Sequence, residues 1–264
     1  MFAKYQLDIS DDFYKAQINK PEHIEKGQEM YKSFGDESHR CLRSFIFEKG
    51  MIDGTALKKH WFGIESADVF ISHSHRDLNK VIAFAGWLYN NFKLKAFIDS
   101  CTWGYADELL KLIDDKYCWN KSNQTYDYTT RNYTTSHVHM MLSTALTEMI
   151  DSTECIIFYK TPNSIVISEE IECTKSGKKD KTISPWIYHE LSISSMLRRQ
   201  KPQRVSAILE HHADFAQESL QISHDIGNAL KEMPIINHND LIKWEKTYQK
   251  SEHALDTLYR VKPF

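Results

Sequence analysis

The chain has 264 residues, 41% of them hydrophobic, with 6 Trp, 5 Cys and a formal charge of −3. That length is one large domain, or one domain with substantial extensions, and it carries enough apolar material for a proper core. The small negative charge gives no reason to expect nucleic acid or an anionic membrane as the main partner. No apolar run approaches the roughly 20 residues needed to span a bilayer. The N-terminus is too polar for a signal peptide, and the odd number of cysteines without C-x-x-C spacing reads as reduced thiols. The expectation is a soluble, cytoplasmic protein.

Residues 1–66 are polar and mostly helical in pattern, with an apolar cluster at Cys41–Phe47, and read as a helical N-terminal extension to a main domain spanning 67–264. From Asp68 the pattern changes. Val69-Phe70-Ile71 is a short buried strand, and Asp77–Asn91 is an apolar-periodic helix. Leu94–Ile98 is a second strand, followed by a loop over Asp99–Gly104 and a helix over Tyr105–Asp115. Residues 116–136, rich in Tyr, Asn and Thr, read as an inserted loop, and Val138–Ile150 as a helix. Cys155–Tyr159 is a continuous apolar strand of the kind buried in parallel sheets. Ile165–Glu172 and Lys181–Ser184 flank a Lys-rich tip, which predicts a hairpin within a second insertion at 163–183. Arg204–Leu209 and Leu220–Ser223 read as further strands, and Asp240–Arg260 as one terminal amphipathic helix. Strands alternating with helices predict an α/β sheet.

The pentapeptide Trp186-Ile-Tyr-His-Glu190 is entered through Ser184-Pro185, an N-cap followed by a proline suited to the first helical position. Trp186 and Glu190, four residues apart, then share one helical face. Alone this spacing is common, and Glu190 read by itself is a solvent-facing helix carboxylate and Trp186 an ordinary core residue. The segment Asp68-Val-Phe-Ile-Ser-His-Ser-His-Arg-Asp77 gives the pair its context. His73 and His75 there, like His137 and His139, lack an obvious third ligand and read as structural, so no metal site is expected. The 9 glycines never form G-x-G, so neither a dinucleotide fingerprint nor a P-loop is present.

Taken in order, Asp68–Asp77, then Phe97-Ile98-Asp99-Ser100 with Trp103-Gly104, then Asp151-Ser152, then Ser184-x-Trp186-x-x-x-Glu190-Leu191, the chain resembles a TIR (Toll/interleukin-1 receptor) domain of the bacterial, enzymatic kind over roughly residues 66–225. The resemblance implies a flavodoxin-like, mostly parallel sheet with helices on both faces. It also implies cleavage of NAD at the nicotinamide–ribose bond, with NAD as a consumed substrate and no cofactor. Glu190 would be the catalytic carboxylate. Trp186, Phe70, Ser72, His73, Asp99, Ser100 and Trp103 would line the substrate site, Trp103 on a mobile loop that a neighbouring copy completes. The insertions at 116–136 and 163–183 are longer than a minimal TIR domain has, and Tyr126, Tyr128, Arg131 and Asn132 could hold a nucleotide portion. With no recognisable effector fused, the chain is similar to the signal-producing TIR partner of Thoeris-type anti-phage systems. That implies a homo-oligomer whose modified or cyclised ADP-ribose product reaches a separate effector. The alternatives are a non-catalytic TIR scaffold and an NAD-depleting hydrolase.

Overall fold

The computed structural model describes residues 1–32, 67–168, 179–200, 202 and 224–264. They divide into two compact units, one built from Met1–Gln28, Ser66–Ile98 and Ile150–Phe264 and the other from Glu29–Glu65 and Asp99–Met149.

The first unit is organised by a five-stranded parallel sheet: β1 (Ala3–Leu7), β2 (Val69–Ser72), β3 (Ala96–Ile98), β6 (Cys155–Tyr159) and β10 (Ile235–Ile236), in the spatial order β10-β1-β6-β2-β3. The order is consistent with a flavodoxin-like sheet. The fourth place, however, is taken by β1 from the N-terminus. Residues 3–7 were expected to belong to a helical extension, and this is a correction. The period-2 pattern of Ala3, Tyr5 and Leu7 is only five residues long, and Lys4 and Gln6 disguise it as a solvated segment. Both polar chains are in fact buried with partners. Lys4 Nζ donates to Glu232 Oε2 at 2.5 Å, and Gln6 Nε2 donates to the carbonyls of Leu230 and Met233 at 2.7 and 3.0 Å. Burial lowers the Lys4 pKa while the Glu232 carboxylate opposes that shift. The chain is helical over Asp11–Phe13 (α1), continues as a π-helix over Tyr14–Ile18, and is helical again over 21–32 (α2). The rest of the expected extension, 33–66, lies outside the described residues.

The register assigns the two faces. Phe70 pairs with Ile156 and Ser72 with Phe158, while Ile156 and Phe158 pair with Lys4 and Gln6, so these six side chains share one face. On the other face lies α3 (Leu78–Phe92), whose Phe84 meets Tyr159 at 6.3 Å between ring centroids. A Cβ on Gly86 would sit 1.8 Å from the His23 carbonyl oxygen, and one on Gly27 1.9 Å from that of Ile82. Helices α2 and α3 therefore touch backbone to backbone, which glycine alone permits.

An antiparallel ladder, β7 (Val166–Ser168), β8 (Lys179–Thr182) and β9 (His224–Asp225), agrees with the hairpin read at 163–183. Its tip, and the strands expected at 204–209 and 220–223, lie outside the described residues. After β8 come α6 (Pro185–Met196) and, beyond β9, the short α7 (Gly227–Lys231). The single terminal helix expected over 240–260 is two helices, α8 (His238–Thr247) and α9 (Ala254–Val261). The corner is closed by the buried Trp244 indole, which donates to the Ala254 carbonyl at 2.8 Å and stacks on Phe92 at 4.0 Å.

In the second unit, α4 runs over Ser100–Tyr117, so the loop expected at Asp99–Gly104 is helical instead. The buried stripe Ala106, Leu109 and Ile113 sets the helical phase, and one internal glycine costs only about 1 kcal/mol. The loop expected at 116–136 is likewise corrected. It is a hairpin, β4 (Trp119–Asn120) with β5 (Thr125–Tyr126), followed by the start of the long helix α5 (Tyr128–Ser152). Buried Asp114 ties it together by accepting from Thr134 at 2.7 Å and from Arg131 Nε at 2.9 Å.

Candidate functional site

Among the expected site residues, the first unit brings together Ser72, His73 and Glu190. Strand β2 is buried along its whole length and ends at Ser72, the C-terminal strand edge where open α/β sheets take ligands. Helix α6 starts as its sequence predicts, with Ser184 Oγ accepting from the Ile187 N–H at 3.3 Å and Pro185 in the first turn. Its buried positions are Ile187, Glu190, Leu191 and Ser194, the spacing of a core stripe. Glu190 thus occupies a position where the pattern calls for an apolar residue, and it is 0% exposed.

The Ser72 hydroxyl donates to Glu190 Oε2 at 2.6 Å, a short bond of the kind made to a carboxylate. His73 is also fully buried, its Nδ1 3.4 Å from the Ile71 carbonyl. Burial pushes its pKa down to about 4, against the opposing pull of the Glu190 and Asp77 carboxylates. A neutral imidazole beside a carboxylate at physiological pH is the result. His75, two residues on, is exposed, so the two histidines do not converge on one point.

Asp77, at 2% exposure, also acts on the His73 ring through its charge. It accepts from the Thr161 hydroxyl at 2.5 Å and from Asn163 Nδ2 at 2.9 Å, both from the turn after β6. In the sequence Asp77 is only the end of the Asp68–Asp77 segment, and its partners lie more than eighty residues away. The available signal was polar residues directly following an apolar strand, at the ligand-binding edge of the sheet.

The remaining candidates are placed differently. Phe70 is fully buried, on the sheet face that carries Ser72, and packs on Phe97 at 5.4 Å. Its ring is core first, which restricts it as a substrate wall. Trp186 is only half-buried, one turn before Glu190. Tyr188 stacks on His224 of β9 at 4.0 Å and 14°, a flank the sequence did not suggest. Asp99 and Ser100, both buried, belong to the second unit. Trp103 stands in α4 rather than in a loop, and the contact expected of its side chain lies outside the described residues. Of the residues offered for holding a nucleotide portion, Tyr128 is exposed at 78%, while Arg131 is engaged by Asp114.

The arrangement encloses one carboxylate, one hydroxyl and one neutral imidazole together within the protein. No family model, curated protein or solved structure matches the chain. No helix among the described residues is long and apolar enough to cross a membrane.

Proposed function

We propose that this chain is a TIR-type enzyme that cleaves NAD at the nicotinamide–ribose bond, with Glu190 as the carboxylate that opposes the positive charge developing on the ribose. The observation that carries the reading is Glu190 itself: an acid at a core position of a helix, hydrogen-bonded at 2.6 Å to a serine at the C-terminal edge of the sheet. Nicotinamide is a cationic leaving group, so a strong general acid is unnecessary, and the transition state resembles an oxocarbenium ion. A fixed carboxylate in a low-dielectric surround supplies most of what such a reaction needs. Ser72 holds that carboxylate in one orientation. Neutral His73 offers a hydrogen bond to ribose without adding an opposing positive charge, and half-buried Trp186 is available to the nicotinamide ring. The proposed product is a nucleotide signal, a modified or cyclised ADP-ribose, in anti-phage defence of the Thoeris kind. The proposed assembly is a homo-oligomer that completes the site. Incubating pure protein with NAD and resolving the products by mass tests this. Release of nicotinamide by the wild type but not by Glu190→Gln supports it, and linear ADP-ribose as the sole partner product replaces signalling with depletion.

One observation favours a second reading. Glu190 is fully enclosed and already bonded to Ser72, as a carboxylate serving only to tie α6 to β2 in a non-catalytic scaffold would be. In that case Glu190→Gln changes stability, and the wild type releases no nicotinamide at any protein concentration.

A further inference from the structure

We propose that Glu154, His253 and Asp256 form a binding site for a divalent first-row transition metal, with Zn²⁺ the representative ion, at the N-terminal edge of the sheet. One donor atom from each residue lies within 4.8 Å of the other two. Donors around an ion held tetrahedrally at ~2.1 Å stand ~3.4 Å apart, inside that limit.

His253 supplies the independent observation. Its Nδ1 is shut off from solvent and has no hydrogen-bond partner among the described residues. A buried ring nitrogen without a protein partner calls for an ordered water or a bound ion, and the two carboxylates beside this one favour the ion. Nδ1 is the proposed nitrogen ligand. Histidine N-caps α9, its carbonyl accepting from the Asp256 N–H at 3.1 Å, so imidazole and carboxylate stand three residues apart on one side of the helix start.

Glu154 comes from a distant part of the chain, immediately before β6. Its carbonyl accepts from the Phe2 and Ala3 N–H groups at 2.7 and 3.0 Å, which fixes its backbone to the start of β1. The Tyr259 hydroxyl donates to Glu154 Oε1 at 2.8 Å, the outer hydrogen bond that orients a ligating carboxylate. Neighbouring Glu252 is not part of the set. Arg260 grips both its oxygens at 2.7 and 2.6 Å, and Thr257 donates to it as well. The chemistry selects the ion class. Two carboxylates balance a 2+ charge, and an imidazole nitrogen favours zinc and its neighbours over Ca²⁺ or Mg²⁺. Three protein ligands leave the rest of the coordination sphere to water, and the metal fastens α9 to the strand pair β1–β6.

The test uses the full chain stripped with EDTA and titrated calorimetrically with ZnCl₂, with Tm recorded with and without the metal. The 13 histidines and 5 cysteines of the chain provide background binding, so the readout is a difference. The wild type is expected to bind one more equivalent of Zn²⁺ than His253→Gln or Asp256→Asn, and to gain several degrees in Tm that both variants lose. Should His253→Gln fail to fold, Asp256→Asn gives the same comparison. Equal zinc stoichiometry in the wild type and either folded variant overturns the proposal.

Discussion

The two edges of the parallel sheet treat carboxylates in opposite ways. At the C-terminal edge, Asp77 and Glu190 are buried and receive hydroxyl or amide donors from Ser72, Thr161 and Asn163, with a neutral histidine between them. At the N-terminal edge, Glu154 and Asp256 are only half-buried and stand beside a histidine nitrogen with no partner among the described residues. In the first cluster each carboxylate accepts from at least one hydroxyl or amide donor of the protein. The second is incomplete in a way that a cation completes. Burial alone therefore does not distinguish a functional acid from a structural one.

The largest expected effect breaks the first cluster. Glu190→Gln keeps the shape and the Ser72 contact but removes the charge, and NAD turnover should fall at least 100-fold, about 2.7–4 kcal/mol. Steady-state nicotinamide release measured beside a thermal melt checks it, and a fall in both together would point to a structural carboxylate.

Next comes the acid sensitivity of the same edge. His73 has a folded pKa of about 4 against an ordinary 6.5. Between those values the unfolded chain binds more protons than the folded one, so stability rises with pH. The contribution is complete above pH 6.5 and is lost as pH falls towards 4, an order of about 3 kcal/mol. Denaturant unfolding at pH 7 and pH 4.5 should show a larger difference for the wild type than for His73→Asn.

Asp77→Ala should cost about 2 kcal/mol, because the Thr161 and Asn163 donors lose their acceptor at a buried site. Urea midpoints would reveal it. The smallest effect belongs to the other edge. Tyr259→Phe removes one hydrogen bond to Glu154, worth about 1 kcal/mol, and should lower Tm by a few degrees.

What was legible in the sequence followed from patterns that local residues enforce. Val69–Ile71 and Cys155–Tyr159 are apolar enough to be strands on their own evidence, and Ser184-Pro185 announced α6 through capping chemistry. Glu190 and Ser72 were both named, but their hydrogen bond spans 118 residues and no periodicity reports it. Strand β1 was missed for a related reason. Lys4 and Gln6 look solvated until Glu232 and the Leu230 carbonyl arrive from the far end of the chain. The loop that the resemblance implies for Trp103 is helix instead, because the apolar stripe of Ala106, Leu109 and Ile113 just downstream carries the helix back through it.

The position of β1 has a consequence for how the molecule is made. It leaves the ribosome before every other strand, yet its neighbours β6 and β10 begin only at Cys155 and Ile235. At 5–20 residues per second, roughly 10–50 s of synthesis separate β1 from its last partner. Both edges of β1 lack a partner until β6 is made, and one edge lacks it until β10 is made. Contacts this distant in sequence also slow the search for the native state. The edge strand β10 is therefore added last, against a β1 that can already be paired with β6.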